Sequence, residues 1–153
     1  MSIDEWFKEF GKNTTSNLEL IKYCKKLKID HVVLCMRDEF KNLSKYTKNI
    51  IMNFEENNGN SSHWVCIYNN QVKYYFDSNS LSPPVEVMKF LQNGVSQTFQ
   101  VQYLNSKCCG QLCLYALFQL NKNKFLNDII FNLIYVTCWK RWFYLWCIPR
   151  TGY

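Results

Sequence analysis

Apolar positions recur along this chain with two periods. At Leu18, Leu20, Ile21, Cys24 and Leu27 they follow the spacing of one helix face, and Ser16 with Glu19 makes a capping box at its start. Leu112, Tyr115, Ala116 and Leu120 repeat that spacing and predict a helix beginning near Cys109. A third amphipathic stretch covers residues 124–136, and Pro83-Pro84 leads into a short helix over 85–92 with Ser82 as its cap. Runs of strand length occupy 31–36, 49–54, 63–68 and 72–77, while 98–103 alternates apolar with polar. Arg37-Asp38 reads as a turn, 55–62 as a polar loop around Gly59, and 69–71 as a hairpin connection.

This order predicts an α+β fold, a central, mostly antiparallel sheet flanked by helices, in one domain over 1–153. Two segments have no assigned place in it. Residues 1–15 carry Trp6, Phe7 and Phe10, a short docking helix followed by a loop over 11–15. Residues 137–153 hold Trp139, Trp142, Phe143, Tyr144 and Trp146 around Lys140-Arg141. Packing on the body, contact with a partner or membrane surface, and an unattached appendage all stay open for that tail.

Composition narrows the picture. At 153 residues and 48% hydrophobic, the chain is long and apolar enough for a packed globule. The net charge of +6 admits an acidic partner, DNA included, but only Lys25-Lys26-Leu27-Lys28 is a compact basic cluster, and a solvated helix face explains that equally well. Eight cysteines without a secretory-type apolar leader read as reduced thiols in an intracellular compartment. The absence of a Cys-x-x-Cys pair and of zinc-finger histidine spacing argues against a metal site. No run reaches the ~18 apolar residues of a membrane span.

The chemistry concentrates in two places. Cys109 at a helix start feels the positive end of the helix dipole, which favours the nucleophilic thiolate. Gly110 beside it would let a substrate backbone approach, and Gln102 is placed to aim its amide at the same spot as an oxyanion donor. The competing reading is a helix start with ordinary core cysteines. In the hairpin, a 69–71 loop would pair Tyr68 with Val72 and set His63 directly opposite Asp77, within reach for a carboxylate to orient an imidazole. A two-residue loop would put those side chains on opposite faces. His31 is a rival base without a carboxylate at useful spacing.

His63-Trp64, Phe76-Asp77-Ser78, and Gln102 seven residues before Cys109-Gly110 resemble the adenovirus-type maturation protease (adenain) family. The likeness is strongest to the adenain-like proteases of Polinton/Maverick elements and adintoviruses, in the same clan as the SUMO-specific proteases. YCKKLKI (23–29), MRDE (36–39), SHWV (62–65), YYFDS (74–78), PPVEV (83–87), CGQLCLYAL (109–117) and NDIIFNL (127–133) carry it, over about residues 17–134. The resemblance implies a papain-like cysteine protease architecture with permuted triad order. Cys109 would be the nucleophile, His63 the general base, Asp77 its orienting partner and Gln102 the oxyanion donor, with Trp64 packing under or beside the site and, with Gly110, contributing to substrate binding.

It further implies a monomeric endopeptidase without a cofactor that matures capsid or core precursor polypeptides, in the virion and the host nucleus or cytoplasm. Adenovirus enzymes are stimulated by DNA and by a peptide tethered through a cysteine. No cysteine lies between Cys66 and Cys108 here to serve such a tether. Two other departures are Asn79-Ser80, where the group often has Phe-Gly, and Cys108, an extra thiol beside the nucleophile. Two alternatives keep the same residues: a SUMO- or ubiquitin-like isopeptidase, and a catalytically inactive DNA- or capsid-binding relative.

Overall fold

The computed structural model describes residues 1–55, 63–103 and 105–136. The aromatic tail over 137–153 and most of the 55–62 loop therefore lie outside the described residues. The fold is α+β, a mixed five-stranded sheet with helices on both faces. Its elements are α1 (Ile3–Phe10), α2 (Asn17–Lys26), β1 (Val32–Met36), a 3-10 helix (Arg37–Asn42), β2 (Asn49–Asn53), β3 (Trp64–Asn69), β4 (Lys73–Phe76), α3 (Val85–Leu91), β5 (Val95–Ser96), α4 (Cys109–Asn121) and α5 (Leu126–Ile134).

The strands lie in the order β1-β2-β3-β4-β5. The expected mostly antiparallel sheet needs correction: the two inner pairings are antiparallel and the two outer ones parallel. The cause is the length of the outer connections. The 3-10 helix and α3 each fill a crossover, which returns the next strand in the same direction.

β3 is central and almost wholly buried, so it reads as a continuous apolar run. Trp64, Cys66 and Tyr68 face the core beneath α4, whereas Val65 and Ile67 face the core formed with Phe40, Val87 and Leu91. α4 carries ten buried residues and is the hub of the larger core, in keeping with its apolar sequence. Among the described residues no helix is long and apolar enough to cross a membrane.

The helix signals hold for α2, whose Ser16 and Glu19 form the capping box, although Leu18 is 78% exposed. α1 buries Ile3, Trp6 and Phe10, and the Trp6 indole N–H donates to the Gln111 carbonyl at 3.0 Å, so residues 1–10 pack on α4. Ser82 does not cap α3. Pro84 occupies that position with no side-chain hydrogen bond, because its fixed φ already suits a helix entry. Arg37-Asp38 opens the 3-10 helix rather than making a simple turn.

Two strand expectations are corrected. Residues 98–103 are not a strand: Phe99 is 62% exposed, and the Val101 and Gln102 N–H groups both converge on the Ser78 carbonyl at 2.9 Å. The fifth strand is Val95–Ser96 instead. In the hairpin Tyr68 pairs with Tyr74 and Asn69 with Lys73, so the turn is Asn70, Gln71 and Val72. The register differs from the expected one by two residues, which preserves every side chain's face.

Candidate active site

Antiparallel pairing brings the start of β3 beside the end of β4, and α4 begins over the same end of the sheet. Continuing the observed register sets Val65, not His63, opposite Asp77. His63 instead meets Asp77 diagonally, a neighbour relation that long side chains span. His63 Nε2 lies 2.8 Å from Asp77 Oδ1. The even shift is why this contact survives an error in the expected pairing.

Asp77 is fully buried, and its Oδ1 also accepts the Asn79 backbone N–H at 2.7 Å. A carboxylate oxygen accepting two hydrogen bonds fixes the tautomer: Nε2 of His63 carries its hydrogen. That leaves Nδ1 to face sulfur, and the His63 ring is hydrogen-bonded to Cys109. Cys109 is the first residue of α4, and its Sγ also accepts the Trp64 backbone N–H at 3.4 Å. The sulfur is thus met by a backbone donor, an imidazole and a helix N-terminus.

Burial alone would lower the pKa of His63. The hydrogen bonds to Asp77 and Cys109, and the charges those groups carry, outweigh it and raise the ring from 6.5 to about 9. Cys108, one residue away, has a different setting. Burial pushes its thiol up, with a hydrogen bond from the Ser106 side and its place beside Cys109 as lesser influences. Cys113, one turn along α4, is fully buried with its thiol donating to the Trp64 carbonyl at 3.2 Å, and burial raises it well above an ordinary cysteine.

Gln102 is buried and reaches both sides of the site. Its Oε1 accepts the Ser78 hydroxyl at 2.6 Å, and its Nε2 donates to the Ser106 carbonyl at 2.7 Å. It ties the turn after Asp77 to the run-in to Cys109. The Trp64 side chain is 1% exposed, with its indole N–H donating to the Thr15 carbonyl at 3.1 Å, so it packs beneath the site instead of lining a surface. Gly110 is also buried. A Cβ there would lie 2.9 Å from Thr15 Oγ1, so the glycine admits the chain's own segment 11–15. His31 is exposed at the start of β1, toward the hairpin-turn end of the sheet, away from Cys109.

Several contributors carry no sequence pattern of their own. Ser78, Asn79, Ser106 and Thr15 are small polar residues in loops; of these, Ser78 in YYFDS and Asn79 in the departure that follows it fall in segments that attract notice. Gln111 donates to the carbonyls of Phe10 and Asn13 at 3.3 and 2.8 Å, which binds the N-terminal segment to the first turn of α4. No protein-family model matches the chain, and no curated protein matches it.

Proposed function

We propose that the protein is a cysteine endopeptidase with Cys109 as nucleophile, His63 as its acid–base partner and Asp77 as the group that orients His63. The observation carrying this reading is the convergence on one sulfur of the His63 ring, the Trp64 N–H and the start of α4, with Asp77 buried behind the ring. A buried carboxylate, an imidazole and a thiol in this sequence are the groups a thiol acyl-transfer cycle needs.

In the first step the Cys109 thiolate attacks a peptide carbonyl. A C–S bond forms and the carbonyl electron pair moves to oxygen. The Cys109 backbone N–H and the second hydrogen of Gln102 Nε2 are the proposed donors to that oxyanion. Collapse expels the amine, which takes the Nδ1 proton of the His63 imidazolium. A water then attacks the thioester and passes its proton to the neutral ring. The C–S bond breaks, the acid leaves and the ion pair is restored. Asp77 holds Nε2–H throughout.

The finer assignment rests on the family resemblance: a papain-like arrangement read in the order His, Asp, Gln, Cys, and capsid or core precursor polypeptides as substrates. DNA is the proposed activator for a chain of net charge +6. The test is labelling of the reduced protein with an acyl-type thiol probe near neutral pH, with mass spectrometry locating the adduct. Selective labelling of Cys109, lost in Cys109→Ala and strongly slowed in His63→Ala, is expected. Equal labelling of several cysteines, indifferent to His63→Ala, would overturn the proposal.

A further inference from the structure

The turn that follows β4 brings a second group to His63. Ser80 N–H donates to the Asp77 carbonyl at 2.9 Å, closing the turn, with Ser80 in the left-handed region at φ 62°. Inside it, the Asn79 N–H is held by the Asp77 carboxylate at 2.7 Å. The backbone of Asn79 is therefore pinned by the residue that orients His63, and its side-chain amide lies 3.5 Å from His63 Nδ1. Nδ1 is the nitrogen left after Asp77 takes Nε2, and it is the one that exchanges a proton in each half of the proposed cycle.

We propose that Asn79 is a positioning residue that holds the His63 ring at Nδ1 in both of its protonation states. This rests on the reading of Cys109 and His63 as a catalytic pair. A carboxamide suits the task because it is a donor at one end and an acceptor at the other. Its NH2 end serves the bare Nδ1 of a neutral ring. Rotation about Cβ–Cγ presents its oxygen to the Nδ1–H of an imidazolium. The sulfur of Cys109 is the other partner of Nδ1, and a thioester sulfur is a poor one. Asn79 is then the group that keeps the ring aimed while it activates water, so its loss bears on deacylation more than on acylation.

Among the described residues, the groups facing the ring are few. Asp77 comes from the end of β4 and Cys109 from the start of α4. Phe54 lies beside the ring from the end of β2, with the Arg37 guanidinium over the Phe54 face 5.5 Å from its centroid. Among these, Asn79 is the uncharged polar side chain at Nδ1.

Two substitutions separate this role from a structural one, since both keep the backbone N–H that Asp77 holds. Asn79→Leu removes both polar ends at similar volume. Asn79→Asp keeps an acceptor, removes the donor and adds a negative charge beside the ring. The His63 ring is titrated by NMR in each full-length protein, and burst kinetics with p-nitrophenyl acetate report acylation and deacylation separately.

The expected result is an apparent His63 pKa moved down by about one unit in Asn79→Leu and up in Asn79→Asp. Deacylation should slow about tenfold in both, with the burst rate of Asn79→Leu within about threefold of the parent. Unmoved titrations, or shifts of the same sign in both variants, would overturn the proposal. The NMR titration needs no turnover. A parent protein in which Cys109 is not acylated at all would therefore sink the peptidase reading while the two shifts still decide the role of Asn79.

Discussion

The two ends of α4 are built on opposite rules. At the C-terminal end Asn121 and Asn49 exchange amides: Asn121 Nδ2 donates to Asn49 Oδ1 at 2.8 Å, and Asn49 Nδ2 returns a bond at 3.4 Å. Asn49 also donates to the Asp30 carbonyl and Asn121 to that of Leu117. This network is neutral and reciprocated, and it locks the helix to the sheet. At the N-terminal end the Asp77 carboxyl group is fully buried, its Oδ2 and Gln111 Oε1 make no hydrogen bond among the described residues, and the His63 ring sits beside a thiol. Native interiors rarely tolerate such groups except where they serve chemistry. One helix thus carries a stabilising end and a reactive end, and substitutions should sort accordingly.

The largest effects belong to the reactive end and should fall on activity. His63→Ala is expected to slow Cys109 acylation by about 10²–10⁴-fold, measured as the second-order rate with an acyl-type probe. Asp77→Asn keeps the shape and removes the charge. It should bring His63 back toward its ordinary value and slow acylation by at least about 10²-fold, read from the same rates.

The pH dependence of stability follows from His63. Its folded pKa is raised, so its contribution is fully present below 6.5 and is lost as pH rises through about 9. At about 1.4 kcal/mol per unit, that contribution is on the order of 3 kcal/mol. Denaturant unfolding of the parent and of His63→Gln at pH 6 and pH 10 should show the difference shrinking by about that amount. A gap that widens with pH would contradict the sign.

Smaller effects concern packing. Gly110→Ala should destabilise by about 1–3 kcal/mol, because the added methyl meets Thr15 and Leu20, and both lie in the N-terminal part of the chain. At the other end, Asn121→Ala leaves Asn49 Oδ1 without its partner and should cost about 1–2 kcal/mol of unfolding free energy with acylation unchanged. An Asn121→Ala protein that lost acylation while remaining folded would erase the distinction between the two ends.

Much of the fold was legible because burial imposes a period. α2, α4 and α5 follow helical spacing, and β2 and β3 are apolar runs between polar breaks. The alternation over 98–103 misled because only Val101 of its apolar members is buried, while Phe99 and Tyr103 face solvent. Val72 misled for a similar reason: β-branching favours strands, but here it closes a turn and is largely exposed. His63, Asp77 and Cys109 could be picked out by residue type and by a face relation that a two-residue register error does not disturb. Trp64 could be placed beside His63 and Gly110 beside Cys109 in the chain, but their surroundings depend on segment 11–15, more than 45 positions away in sequence. Asn79 and Ser78 act through a few hydrogen bonds in a turn, and no periodicity marks such bonds.

The most direct test of the coupled Cys109–His63–Asp77 centre is an NMR titration of the His63 ring in the parent and in Cys109→Ala. The account predicts a midpoint near 9 in the parent and a clear fall on removal of the sulfur, since the hydrogen bond and charge of Cys109 help to raise it. A parent midpoint near 6.5 that Cys109→Ala leaves in place would mean that ring and thiol are not coupled, and it would contradict the account.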